Sequence, residues 1–386
     1  MRILVAPNAL KGSLGPIEAA RAIAEGLAQA LPHAEIEELP IADGGDATAA
    51  VLVRALGGTF ADAAAEDPLG RSRRAKFALM DDGREAVVEI AQSSGLALLR
   101  PDELQPLTSS TYGAGQLVRA VLDRGCRRID IALGGSATVD GGAGLVEALG
   151  VRLIDGDGAV VPRGGGGLGK LDRIDPSAID PRLKETEIVA ICDVDNALLG
   201  EHGAARAFGP QKGATPKMVE RLEEGLAHWA SVIERDIGRD VRGLRHGGAA
   251  GGLAAGIAGI LGGRLEAGAD FVLERVKLRE RLAGKDVVLT AEGQLDRQTL
   301  QNKAPYALAR AARAMGVPVI ALAGGITDDV EAGAFDLFDA IVPIASHPMG
   351  LEEAMHRARQ LLTAAAARVG RLLRLGGAIG SAGRGA

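Results

Sequence analysis

The chain has 386 residues, enough for two domains at roughly 150 residues each. Hydrophobic residues make up 47% and charged residues 24%, the balance of a folded globular chain and not of a disordered one. The net charge is −6, with 44 basic and 50 acidic residues interspersed and only nine aromatics, which excludes the basic face and stacking platforms of a nucleic-acid binder.

Cys126 and Cys192 are too few for a disulfide framework or a cysteine zinc site and read as small buried hydrophobes. The apolar start at Ile3–Ala6 stops at Pro7, short of a signal peptide's hydrophobic region. The longest uncharged run, Gly247–Gly263, falls below the roughly 20 apolar residues that span a bilayer. It predicts a glycine loop feeding a tightly packed buried helix. A cytoplasmic location without a membrane partner is expected. Glycine, at 55 residues, is about twice its usual share of roughly 7%. Only nine of the 44 cations are lysine, so a lysine inside a glycine loop carries information.

The first forty residues predict a β-α-β unit. A strand over Arg2–Ala6 ends in the loop Pro7–Ser13, a helix runs from Pro16 to Leu31, and a second strand covers Ile36–Pro40. Proline suits the first turn of a helix, and Ile17, Ala20, Ala24, Leu27 and Leu31 step by three and four along one face. The loop Ile41–Asp46 leads into a helix over Ala47–Leu56. The unit recurs as a strand over Arg128–Leu133, the loop Gly134–Gly142 and a helix to Leu149. It recurs again as a strand over Asp286–Thr290, a polar loop and a helix over Ala304–Met315, and strands over Val317–Ala323 and Ala340–Ile344 complete the set. This alternation implies a parallel sheet with helices on both faces, and ligands outside the carboxyl ends of its strands.

Other stretches break the pattern. Thr59–Glu89 reads as antiparallel strands, with Asp81-Asp82-Gly83 turning between Lys76–Met80 and Ala86–Ile90. Val151–Asp155 and Ala159–Val161 predict a second hairpin. A long helix, capped by Thr215, covers Pro216–Ile237, and a last helix covers Leu351–Leu375. The expected class is α/β with two α/β domains and the active site in the cleft. One domain is a doubly wound, mostly parallel Rossmann- or flavodoxin-like sheet from residues 1–58 and 285–375, with 110–150 contributing. A mixed α/β domain from 59–109 and 151–284 is inserted into it, and 376–386 form a disordered tail.

Nucleotide-binding standards mostly fail. Gly164–Leu171 fits G-x-x-x-x-G-K but offers Leu171 where a Mg²⁺-binding hydroxyl is needed, and it follows no strand directly. The overlapping G-x-G-x-x-G lacks the flanking strand and helix of a dinucleotide site, so the segment reads as a flexible loop at a domain margin. There is no H-E-x-x-H and no nucleophile elbow. What remains is glycine loops carrying charge. Gly134–Gly142 can turn backbone N–H groups to an anion, with Ser136 and Thr138 as extra donors. Lys11, Lys212 and Lys303 sit in such loops, while Asp43, Asp193, Asp195, Glu292 and Asp296 follow strand ends. Phosphoryl transfer needs a carboxylate to orient the attacking hydroxyl, oxygen ligands for Mg²⁺ and cations for the transferred group. The combination points to a kinase without naming its substrate.

At these loops the chain resembles the glycerate kinase family, in the branch of bacterial glycerate kinases of the glycolate and glucarate pathways. The resemblance runs from residue 1 to about 375. It rests on Ala6-Pro-Asn-Ala-Leu-Lys-Gly-Ser-Leu14, Ala42-Asp-Gly-Gly-Asp-Ala-Thr48, Gly134-Gly-Ser-Ala-Thr-Val-Asp-Gly-Gly142, Cys192-Asp-Val-Asp-Asn196, Phe208-Gly-Pro-Gln-Lys-Gly-Ala214 and Glu292-Gly-Gln-Leu-Asp-Arg-Gln-Thr299. It implies ATP-dependent phosphorylation of D-glycerate with Mg²⁺, giving 2-phosphoglycerate ahead of 3-phosphoglycerate by direct in-line transfer. Spacing alone does not fix that regiochemistry, nor the choice between monomer and homodimer. On this reading Asp193, and after it Asp296, orients the hydroxyl. Lys11 and Lys212 hold phosphate or the glycerate carboxylate, and Lys303 does either. Glu292 and Asp43 face Mg²⁺, and Ser136 and Thr138 with Gly134 and Gly135 bind phosphate or substrate carboxylate.

The chain departs from the family where Asn8-Ala9-Leu10 replaces Asp-Ser-Phe/Tyr, and at Val139 (usually Asn), Ala291 (usually Gly) and Gln294 (usually Arg). Arg245-His246-Gly247-Gly248 also stands where Pro-Gly-Ala-Gly is common. Asn8 removes a carboxylate, and a left-handed glycine at 291 would not accept alanine without strain. Two other classes compete: a non-catalytic small-acid sensor with a two-domain cleft, and a nicotinamide-dependent dehydrogenase. Several acids and lysines at strand ends favour the kinase, because a passive carboxylate pocket has no need of carboxylates.

Overall fold

A computed structural model describes residues 1–296, 303–327 and 337–382. Its strands are β1 (Arg2–Val5), β2 (Glu35–Glu38), β3 (Thr59–Glu66), β4 (Ser72–Met80), β5 (Glu85–Glu89), β6 (Arg128–Ala132) and β7 (Arg152–Asp155). They continue with β8 (Leu171–Asp175), β9 (Glu187–Cys192), β10 (Arg264–Ala267), β11 (Val287–Leu295), β12 (Val319–Ile326) and β13 (Ala340–Pro343). The chain forms two units, one from Met1–Asp43, Ala50–Ala55 and Ala269 onward, the other from Gly44–Ala49 and Leu56–Gly268.

In the first unit a five-stranded sheet has the order β13-β12-β11-β1-β2, and every neighbouring pair is parallel. Both faces of β1 and β11 are buried, as expected of a parallel strand covered on two sides. Ile3, Val5, Leu289 and Ala291 pack with the helices Pro16–Ala30 and Ala358–Ala382. These helices approach so closely that a β-carbon on Gly26 would collide with the Thr363 carbonyl oxygen and lie 2.9 Å from Ala366 Cβ. The helix Ala304–Ala314 buries Ala304, Ala307, Leu308 and Ala312.

The second unit holds a six-stranded sheet in the order β10-β9-β6-β5-β4-β3. From β10 to β5 it is parallel, and β4 and β3 add antiparallel pairs. Its core includes the helix Pro216–Ile237, capped as expected by Thr215, whose Oγ1 accepts from the Met218 N–H at 3.4 Å. On that helix Trp229 is fully buried and donates its indole N–H to the Gly141 carbonyl at 3.0 Å.

Several expectations change. Residues 110–150 lie in the second unit, because β6 finds its partners in β5 and β9. Ala159–Val161 does fold back on β7, through an antiparallel bridge and the bonds Asp155 N–H to the Ala159 carbonyl and Val161 N–H to the Leu153 carbonyl. It forms no full strand and leaves Val160 65% exposed, and β7 pairs more extensively with β8, whose Leu171 and Ile174 are buried. Gly164–Lys170 is not a loose loop. Residues 165–170 form a short 3₁₀ helix, and β-carbons on Gly165 and Gly167 would collide with the Val139 and Pro162 carbonyls. The last helical region is split between Leu351–His356 and Ala358–Ala382, so the second helix runs well into the expected tail; 383–386 lie outside the described residues. Among the described residues no helix is long and apolar enough to cross a membrane. Glycine-to-alanine inside a helix ordinarily stabilises by about 1 kcal/mol. Gly26→Ala is expected to reverse that sign and destabilise by about 1–3 kcal/mol through overpacking, read as a lowered urea midpoint at unchanged m.

Candidate active site

In the first unit, β11 runs on to Leu295 because β12 pairs it as far as Leu295↔Ile326. Glu292 therefore projects from a strand and not from a loop. A bare backbone at Gly293 lets the chain at Lys11 come close, with 3.0 Å from the glycine's would-be β-carbon to the Lys11 nitrogen. The Glu292 side chain is buried, with Oε1 3.6 Å from Lys303 Nζ at the start of the helix Ala304–Ala314. Its Oε2 has no hydrogen-bond partner among the described residues. Burial pushes its carboxyl up to about 7, Asp43 and Asp296 push the same way, and Lys303 opposes them. Asn8 donates from Nδ2 to Asp43 Oδ2 at 3.3 Å, so the departure at position 8 puts an amide beside Asp43 where a carboxylate would repel it. Lys11 is exposed. Residues 297–299 of the Glu292–Thr299 motif lie outside the described residues.

A buried, unpartnered carboxylate oxygen crowded by two further acids suits a hard cation, which prefers oxygen ligands. No three acidic, histidine or cysteine side chains among the described residues enclose an ion by themselves. The donor set thus fits Mg²⁺, which typically takes one or two carboxylates and completes its shell with phosphate and water oxygens.

In the second unit the carboxyl ends of β5, β6 and β9 bring a different group together. Lys212 is fully buried, and its ammonium donates to Ser136 Oγ and to the Thr138 carbonyl, each at 2.8 Å. Burial lowers its pKa to about 8, against the opposing pull of Asp193 and Asp140. Asp140, also fully buried, accepts from the Thr111 N–H and Oγ1 at 2.8 and 2.9 Å and from the Gly142 and Gly144 N–H groups. Burial raises its pKa despite these bonds. Thr138 Oγ1 is buried with no hydrogen-bond partner among the described residues. Lys212, Ser136 and Thr138 therefore lie beneath the glycine loop. Gly135 and Asp193 are exposed, with Asp193 Oδ2 3.4 Å from the would-be β-carbon of Gly134.

Two acids that the sequence reading passed over join this group. Glu89, at the end of β5, is buried and accepts from the Ala49 N–H at 2.9 Å. Asp46 Oδ1 lies 3.0 Å from the would-be β-carbon of Gly135. A place near the carboxyl end of the strand expected over Ala86–Ile90 was the available signal for Glu89. Asp195, in contrast, is engaged by Arg245 at 3.0 Å and lies 3.2 Å from His246 Nδ1.

The other departures fit locally. Ala291 lies in extended β11 and has no left-handed backbone, so the expected strain does not arise. Val139 is buried in the apolar core. His246 does have a left-handed backbone, at φ +69°, and its Nδ1 stands 2.8 Å from the Val194 carbonyl.

Lys212 gives up its proton near pH 8 in the folded chain, whereas its ordinary value is 10.5. Between those values the unfolded chain binds the extra proton, so this residue makes stability rise with pH. The wild type is expected to gain up to about 3 kcal/mol across that window relative to Lys212→Met, measured by urea unfolding of both at pH 7.5 and 10.

Comparison with known proteins agrees over the whole chain. The sequence model of the Glycerate kinase family matches residues 3–374. A glycerate kinase of Halalkalibacterium halodurans is 42% identical over 94% of this chain and 96% of its own. The glycerate 2-kinase of Escherichia coli K12 is 38% identical over 97% and 99%. A crystal structure from Salmonella typhimurium LT2, provisionally named glycerate kinase 2, superposes with a TM-score of 0.85 at 40% identity, covering 97% of this chain and 99% of that one. With strand-end acids and lysines on an α/β scaffold and full-length similarity of this kind, the chain belongs to the glycerate kinase family.

Proposed function

We propose that this protein transfers the γ-phosphoryl group of ATP to D-glycerate, giving 2-phosphoglycerate and ADP without a covalent enzyme intermediate. The observation that carries the reading is the exposed Asp193 carboxylate beside a glycine turn underlain by a buried ammonium. Asp193 accepts the proton of the attacking hydroxyl as the oxygen bonds to phosphorus and the bond to ADP breaks. Asp296 is the second choice for that role. The turn at Gly134 and Gly135, with Ser136, Thr138 and Lys212 beneath it, receives phosphate or the glycerate carboxylate through backbone N–H groups other than that of Gly134, which the Gly44 carbonyl holds. Lys11 and Lys303 offset charge on the transferred group.

Glu292 and Asp43 would hold Mg²⁺, which when bound neutralises phosphate charge. The family supports a kinase acting on glycerate, and the name of the Escherichia coli relative favours the 2-position.

A coupled ADP-release assay with D-glycerate and Mg-ATP tests the activity, and glycerate binding without ADP release would support the sensor instead. Phosphorus NMR of the product is expected to show 2-phosphoglycerate. Asp193→Asn is expected to lower kcat at least about 100-fold while unfolding stability changes by less than about 1 kcal/mol. Near-normal turnover would remove Asp193 from the role.

A further inference from the structure

The segment Gly44–Ala49 follows a demanding path within the second unit. Gly44 has φ +90°, and Ala47, with a side chain to accommodate, is held at φ +69°, a region that costs an ordinary residue about 1–2 kcal/mol. Thr48 ties the turn internally by donating its hydroxyl to the Gly45 carbonyl at 2.7 Å. The next backbone donor, Ala49 N–H, is buried, and its acceptor is Glu89 Oε1 at 2.9 Å. Glu89 also bonds to the Gln92 side chain. Its burial is unusual for a carboxylate in a core, and simple capping of the helix Thr48–Leu56 would be served as well by a local serine or aspartate.

The tether has a consequence at the glycine turn. Gly134 donates its N–H to the Gly44 carbonyl at 3.2 Å, and it must be glycine because a β-carbon there would collide with Gly45 Cα. One residue on, Asp46 Oδ1 stands 3.0 Å from the would-be β-carbon of Gly135, just as Asp193 Oδ2 stands 3.4 Å from that of Gly134. Each glycine of the turn thus has a carboxylate beside it, and one of the two belongs to the strained segment.

We infer that Glu89 is a positioning residue for phosphoryl transfer: by holding the Ala49 N–H from the end of β5 it fixes the Gly44–Ala49 segment, and with it the Asp46 carboxylate, against the Gly134–Gly135 turn. This role deepens the kinase reading and rests on it. It needs an acceptor oxygen at the right reach and does not need a negative charge. A glutamine supplies that oxygen; an aspartate keeps the charge but draws the oxygen back by one methylene.

The test measures kcat and KM for D-glycerate and ATP in the wild type, Glu89→Gln, Glu89→Asp and Glu89→Ala, with amide hydrogen exchange at Ala49 on each protein without substrate. Glu89→Gln is expected to stay within about threefold of wild-type kcat and to keep Ala49 protected. Glu89→Asp and Glu89→Ala are expected to lose about tenfold or more in kcat, with KM changed less than about threefold and exchange at Ala49 faster. Should Glu89→Ala not fold, the aspartate and glutamine pair carries the comparison alone. Wild-type kcat in Glu89→Asp with faster exchange would reduce Glu89 to a helix cap and overturn the inference. So would a Glu89→Gln that is inactive while Ala49 stays protected, since the charge would then act directly. Failure of the wild type to phosphorylate glycerate strikes the kinase reading itself, whereas exchange at Ala49 reports on the tether with no substrate present.

Discussion

A lysine ammonium buried beneath a glycine loop governs the second unit. Removing such a charge from water is costly unless its donors are met, and Lys212 directs two of its three N–H donors to Ser136 Oγ and the Thr138 carbonyl. Those two contacts dictate the path of the backbone from 136 to 138. Asp140, two residues further, adds a buried carboxyl group whose oxygens accept from backbone N–H groups and from Thr111. The loop is therefore held from below by Lys212 and Asp140, and its flank is held by backbone bonds, Gly134 N–H to the Gly44 carbonyl and Ala137 N–H to the Ser94 carbonyl. A lysine placed above the same turn would neutralise an anion but would not shape the turn that receives it.

The first unit solves the opposite problem. Here like charges are gathered: Glu292 is buried near Asp43 and Asp296, with Lys303 as its counter-charge. The parallel sheet makes this possible, since β1 and β11 are neighbours and end at the same edge. Phosphoryl transfer calls for both kinds of environment, one that draws in a cation and one that cradles an anion.

Glycine does much of the structural work by absence. Gly26 admits a second helix, Gly134 admits the backbone at Gly45, and Gly293 admits the chain at Lys11. The chain's high glycine content follows from the number of places where backbone must touch backbone. It also explains why the segment Gly164–Lys170, which reads as a loose loop or a failed phosphate motif, is a packed 3₁₀ turn.

Local pattern was enough for much of this molecule. The helix Pro216–Ile237 follows from its apolar spacing and its Thr215 cap, the turn at Asp81–Gly83 from its residue types, and the places of Asp43 and Asp193 after strand ends from alternation of strand and loop. Those features depend on neighbours a few residues apart. Other features depended on partners far along the chain: that β6 joins β5 and β9, that β7 prefers β8, that Lys212 lies under its loop, and that Glu89 reaches Ala49. Strand pairing and side-chain burial are settled by which distant surfaces exclude water together, and no window of sequence contains both halves of such a contact.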